Sequence, residues 1–142
     1  MKKSVLVVLF AIMLGGGFAY FLFNKVVVKE DVISNKKVFA FQVGAFTSYD
    51  NAHKVAERNN GIVVDDSDIY RVYVAILNDD EAIIKLKEYY NSIGLNYYLK
   101  EIYVSEEFIK GIEDDEELLK RSDSNTYTVI NNDVLEKYEE ML

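Results

Sequence analysis

The chain has no cysteine, no proline and no tryptophan, and one histidine in 142 residues. Without cysteine there is no disulfide, no thiolate nucleophile and no thiolate metal site, and redox compartment is left unmarked. Without proline, no stretch reads as a stiff linker. His53 lies between Ala52 and Lys54 in a helix-patterned stretch, which reads as a solvated helix position and not a catalytic base. A glycine-rich phosphate loop and a nucleophile elbow are both missing, so no catalytic residue and no cofactor is assigned. Asp65-Asp66-Ser67-Asp68 begins like a calcium loop but lacks the downstream glycine and glutamate, and reads as a hairpin turn with no metal. Cations are scarce as well. Val38 to Leu142 carries ten Lys/Arg against twenty-two Asp/Glu, a net of −12, and such a surface repels nucleic acid and anionic lipid headgroups.

What is present begins with a run of twenty residues without charge, Ser4 to Phe23, directly behind Met1-Lys2-Lys3. At about 1.5 Å per residue it spans about 30 Å, a bilayer hydrocarbon core. A short amino-terminal tail followed at once by an apolar run has the form of a signal anchor, with residues 1-24 as tip and span, the tail in the cytoplasm and the rest exported. Lys25, Lys29, Lys36 and Lys37 on the far side weaken the charge argument for that orientation. Gly17-Phe18-Ala19 offers a cleavage site, but the apolar run continues through Tyr20-Phe21-Leu22-Phe23, which favours retention. Ala11, Gly15 and Ala19 recur every fourth residue, a small-residue face through which two spans can pair as a homodimer. Residues 25-37 read as a tether.

From Val38 the pattern alternates between strands and helices. Val38 to Phe46 is strand-like, with Phe39, Phe41 and Val43 on one face and Ala40, Gln42 and Gly44 on the other. Thr47 or Ser48 caps a helix with apolar Ala52, Val55 and Ala56, ended by Asn59-Asn60-Gly61. Ile62-Val63-Val64 is a short strand and Ile69 to Leu77 a longer one, with Tyr70, Val72, Val74 and Ile76 opposite Arg71, Tyr73 and Ala75. Asn78, Asp79 and Asp80 open a second helix with Ala82, Ile83, Leu86, Tyr89 or Tyr90, and Ile93 on its buried stripe, closed by Gly94, and Asn96 to Val104 is a fourth strand. The order βαββαβ predicts an α+β, ferredoxin-like domain over residues 38-104, with a four-stranded antiparallel sheet, both helices on one face and the other face open.

Phe41-Gln42-Val43-Gly44-Ala45-Phe46, then Ser48 and Asn51-Ala52, then Tyr70-Arg71-Val72-Tyr73-Val74-Ala75 before a helix with Ala82, resembles the SPOR domain over about Phe39 to Val104. That family binds peptidoglycan glycan strands stripped of stem peptides at division septa, in vegetative cells or in sporulation. The resemblance implies a glycan site on the open sheet face built from Gln42, Gly44 and Arg71, to which Tyr73 adds an aromatic surface. Two positions depart from the family: Ala45 stands where serine is common, and Ala75 where glycine is expected.

After Val104 the resemblance ends. Ser105 caps a helix with Phe108, Ile109, Ile112 and Leu119, interrupted at Gly111 and at Glu113 to Glu117. Thr126 to Ile130 reads as extended, and Asp133 caps a last helix with Val134, Leu135 and Tyr138. This acidic extension, residues 105-142, has net charge −8 and packs on the domain or on a partner. The expected function is that of a bitopic cell-envelope protein, in the membrane with its carboxy-terminal domain outside, that binds denuded glycan at division or remodelling sites. The alternative is an envelope protein-interaction module that does not touch sugar. An RNA-binding domain of the same topology conflicts with the acidity.

Overall fold

The structure, a computed structural model, describes residues 35–142, within a compact unit running Ser34–Leu142. The span at Ser4 to Phe23, its Ala11, Gly15 and Ala19 face and most of the tether lie outside the described residues. No helix among the described residues is long and apolar enough to cross a membrane.

Chain order is β1 (Lys36–Phe46), α1 (Tyr49–Asn59), β2 (Ile62–Asp66), β3 (Ile69–Leu77), α2 (Asp80–Ser92), β4 (Tyr98–Val104), α3 (Glu106–Arg121), a 3-10 turn (Ser124–Thr126) and α4 (Tyr127–Met141). The strands form one four-stranded sheet in the order β2-β3-β1-β4 with every pairing antiparallel. This α+β arrangement is consistent with the ferredoxin-like expectation.

Local chemistry sets the element ends. The Ser48 hydroxyl accepts the Asn51 N–H at 3.5 Å to start α1, and Asn60 stops it in the left-handed region at φ 54°. Asp79 Oδ1 accepts the Ala82 N–H at 2.9 Å ahead of α2, and Ser105 Oγ accepts that of Phe108 at 3.2 Å ahead of α3. Ser67 and Asp68, both at positive φ (49° and 72°), turn the chain from β2 into β3, the backbone a two-residue hairpin demands. The strand therefore runs on to Asp66, and the Asp65 to Asp68 turn is shorter than the sequence pattern implied.

One sheet face meets α1 and α2. Phe41, Ala75 and Leu77 pack with Ala82, Ile83, Leu86 and Tyr90 of α2, while Val72 packs with Ala52 and Ala56 of α1. Full burial of a side chain such as Phe41 or Leu86 contributes about 1.5–3 kcal/mol.

The opposite face is covered, which corrects the expectation of an open platform. Val38, Ala40, Tyr73, Ile76, Ile102 and Val104 lie beneath Phe108, Ile112, Val134, Leu135 and Tyr138 of α3 and α4. The alternation along β1 and β4 made this face look half-polar because Gln42 and Lys100 lie on it. Apart from these and from Arg71 and Asp66 at one end, its side chains are largely apolar, and 105-142 supplies the layer that hides them.

Three expectations for that segment also change. The α3 helix is continuous from Glu106 to Arg121, with no break at Gly111 or in the acidic run. Phe108, Ile112, Glu116 and Leu119 share its buried stripe, Glu113, Asp114 and Glu117 face water, and burial of the stripe outweighs the roughly 1 kcal/mol that Gly111 costs. Thr126 to Ile130 is not extended. Tyr127, Ile130, Val134, Leu135 and Tyr138 recur with helical spacing and are buried in α4, so packing overrides the local β preference of Tyr127-Thr128-Val129-Ile130. Asp133 accordingly sits inside α4 instead of capping it.

Polar ties fasten this layer. The Glu116 carboxylate accepts the backbone N–H of Asn78 and that of Asp79, the latter at 2.8 Å. Lys85 Nζ donates to the carbonyls of Lys120 and Ser122 at 2.6 and 2.9 Å. Lys137 bridges Asp115 of α3 at 2.6 Å and Asp133 of α4 at 2.8 Å. Burial raises the Asp115 pKa, while Lys137 beside Asp133 lowers that group's.

Candidate functional site

The covered face keeps one open strip, at the end of the sheet near the β2–β3 turn. Arg71, in β3, donates from Nη1 to Gln42 Oε1 on β1 at 3.3 Å and from Nε to Asp66 Oδ2 on β2 at 2.6 Å. Two of the five guanidinium N–H donors are thus engaged. The Arg71 side chain retains 20% exposure and Asp66 48%. Arg71 beside Asp66 holds that carboxyl below the usual range, and Lys100 adds to the pull.

Pairing fixes the rest of the strip. Gln42 stands opposite Tyr98 on β4, and Ala40 opposite Lys100. Directly opposed antiparallel residues share a face, so Tyr98 and Lys100 lie on the same side as Gln42. Tyr98 is 66% exposed. The strip therefore presents an amide, a guanidinium, a phenol, an ammonium and a carboxylate on one face, a set that donates to and accepts from hydroxyl and amide groups. Tyr98 and Lys100 were not singled out from sequence, although the two-residue period of β4 places both on the face of Gln42 once the pairing is known.

Of the four residues assigned to a glycan site, Gln42 and Arg71 are brought together and the other two are not. Tyr73 is 2% exposed, its ring edge-on to Tyr138 with centroids 6.4 Å apart. Burial, with Tyr138 nearby, pushes its hydroxyl up to about 12. It offers no surface to a ligand while α4 is seated. Gly44 is turned to the other side. The register shifts between Gln42 and Gly44, which then opposes Val72, and a β-carbon on Gly44 would come within 2.5 Å of the Phe46 ring. Phe46 packs with α1, so Gly44 serves that contact and not the strip.

A matching irregularity between Phe41 and Gln42 shifts the phase of β3: Ala75 stands opposite Phe41, and Ile76 stands opposite Ala40 beneath α3 and α4. The expected grouping of Ile76 with Val72 and Val74, and of Ala75 with Arg71 and Tyr73, is reversed. Ala75 therefore faces α2, and its methyl group does not restrict a ligand at the strip. Bulges of this kind leave no simple mark in an apolar run such as Val72 to Leu77.

His53 is exposed on α1 and lies 3.6 Å from Glu57. Comparison of the chain with protein-family models, curated proteins and solved structures finds no match to any of them.

Proposed function

We propose that residues 35–142 are the binding head of a membrane-tethered envelope protein and that the head grips denuded peptidoglycan glycan strands through the strip of Gln42, Arg71, Tyr98 and Lys100. The observation that carries this reading is the 3.3 Å contact between Arg71 and Gln42, part-buried but still reached by solvent on a face that is otherwise covered. It places a forked donor beside an amide, with an exposed tyrosine across the strand, the components that recognise sugar hydroxyls, N-acetyl groups and an apolar sugar face. The resemblance to SPOR domains points to the same two residues. The strip is narrower than a full sheet face, and Tyr73 and Gly44 take no part in it. The head performs no chemistry of its own. Its proposed place is outside the cell at division or remodelling sites, anchored by Ser4 to Phe23, with pairing of spans through Ala11, Gly15 and Ala19.

Full-length protein in detergent is expected to sediment with amidase-treated sacculi, less with untreated ones, and to lose about tenfold in affinity on Gln42→Ala, the effect of one hydrogen bond to a partly buried group. Binding indifferent to stem-peptide removal, or to both Gln42→Ala and Arg71→Met, overturns the reading. Proteolysis of intact protoplasts tests the orientation: the head should be cleaved from outside.

A specific observation favours one second reading, a protein-interaction module. The outer edge of β4 has no strand beside it among the described residues, and Tyr98 and Tyr103 on that strand are 66% and 65% exposed. An extended partner segment can add to such an edge. Cross-linking through Tyr103 that persists in the Gln42→Ala variant would support it.

A further inference from the structure

The charge of the strip runs against that of the head. Val38 to Leu142 carries a net of −12, yet strand alternation turns the acids next to the strip away from it. Glu101, the neighbour of Lys100 on β4, lies on the other face and pairs with Lys37 at 3.3 Å. Asp65, the neighbour of Asp66 on β2, stands opposite Tyr70 and is likewise turned away. The strip is left with two cations, Arg71 and Lys100, and the single carboxylate of Asp66.

These cations are not fully engaged within the chain. Arg71 gives one donor to Asp66 and one to Gln42, so three of its five guanidinium N–H groups have no acceptor among the described residues. Lys100 is half-buried and belongs to no ion pair among the described residues, and its ammonium is near enough to Asp66 to help lower that carboxyl's pKa. Both positive charges therefore act on the same end of the strip. A half-buried charge without a partner has lost hydration with nothing in return, and an anionic group from outside supplies the missing partner. Repulsion from the rest of the head is screened beyond about 8 Å at physiological ionic strength. A ligand with sparse anionic groups is thus governed by the charges it touches, while a dense polyanion meets the field of the whole head.

Spacing narrows the ligand further. Tyr98 and Lys100, two residues apart on β4, stand about 7 Å apart along the strand. A sugar ring lying on exposed Tyr98 therefore needs a carboxylate on a short arm to reach Lys100 and Arg71. Muramic acid has this form, since its lactyl ether ends in a carboxyl group. That group is a neutral amide while a stem peptide is attached and a free carboxylate once the peptide is hydrolysed off.

We infer that Lys100 and the unengaged donors of Arg71 form an anion subsite that takes the free lactyl carboxylate of a muramic acid residue, so that stripped strands are selected by the charge that peptide removal uncovers. The inference rests on the strip being a glycan site, and it names the group by which stripped and peptide-bearing strands are told apart.

The test compares amidase-treated sacculi with the same material after carbodiimide coupling to methylamine, which turns free carboxylates into neutral amides of little added bulk. Full-length protein in detergent should bind the coupled sacculi at least about tenfold more weakly, the effect of one charge-assisted hydrogen bond. Lys100→Met, which keeps the aliphatic stem, should fold with unchanged Tm, bind stripped sacculi about as weakly, and be nearly indifferent to coupling, while Lys100→Arg should restore the preference. Oligomers of N-acetylglucosamine, which lack the carboxylate, should compete poorly. Equal binding of coupled and uncoupled sacculi, a coupling effect undiminished in Lys100→Met, or efficient competition by dextran sulfate overturns the inference. If coupling has no effect but Gln42→Ala and stem-peptide removal still alter binding, the anion subsite fails and the glycan site stands. If neither preparation is bound, both fail together.

Discussion

Replacing Glu116 tests whether the carboxy-terminal layer is fastened as described. This carboxylate is 4% exposed, stands in the apolar stripe of α3, and accepts the backbone N–H groups of Asn78 and Asp79 where β3 gives way to α2. Glu116→Ala removes the acceptor from both donors and leaves a small void. An unpaired donor costs about 1–3 kcal/mol, and both lie at a partly wet junction, so the loss should be about 2–4 kcal/mol. For a domain of this size that lowers Tm by about 10–20 °C. Glu116→Gln keeps an acceptor oxygen and should cost far less.

The two proteins must also diverge with pH. Burial raises the Glu116 pKa more than the two N–H donors lower it. A group whose folded pKa lies above its unfolded value contributes stability below the unfolded pKa and loses it as pH rises through the folded one. Wild type should therefore gain on the glutamine variant as pH falls from neutral through the raised folded pKa towards the ordinary glutamate value. Urea denaturation of wild type and both variants at several pH values measures this. A loss below about 0.5 kcal/mol for Glu116→Ala, the level of an ordinary surface change, or a wild-type-to-glutamine difference that is flat with pH, refutes the argument.

Tyr138→Ala should cost about 3–5 kcal/mol, as for other buried aromatics, and should bring the Tyr73 hydroxyl down from about 12, which alkaline difference absorbance reads. Because that folded pKa is raised, the Tyr73 contribution is present below pH 10 and fades as pH climbs towards 12; a Tyr73 titration unmoved by the substitution would count against burial as the cause. Gly44→Ala forces a methyl group onto the Phe46 ring and should lose about 1–3 kcal/mol by overpacking, seen as a lower urea midpoint, while sugar binding by the folded fraction is unchanged. Asp66 should titrate below the ordinary aspartate range in wild type and return towards it in Arg71→Met, followed by carboxyl-carbon NMR. Its depressed pKa means that its interaction with Arg71 is present above the unfolded pKa and fades as pH falls through the folded one.

The helix caps and the first layer of the core were legible in the sequence because each rests on local chemistry. Ser48, Asp79 and Ser105 accept the N–H groups their spacing implied, and Ala52, Ala56, Ala82, Ile83 and Leu86 are buried as their periodicity required. The irregularities in β1 and β3 were not legible, because an apolar run reads the same in either phase, and the positions of Gly44 and Ala75 were lost with them. Strand alternation put Gln42 and Arg71 on one face, and the structure brings the two side chains into contact. Tyr73 follows the same alternation and is nevertheless hidden. Whether such a face is solvated depends on distant chain: Val134, Leu135 and Tyr138 cover it, and the start of their helix was disguised by the β-favouring run Tyr127-Thr128-Val129-Ile130.

Coverage of the sheet on both sides changes what counts as the smallest usable piece of this protein. A fragment stopped at Val104, where the βαββαβ portion ends, would retain all four strands and yet present Val38, Ala40, Ile76 and Ile102 to water as a continuous greasy slab. Such a fragment should self-associate, and grafting the βαββαβ portion into another protein would carry the same liability unless its final two helices travelled with it.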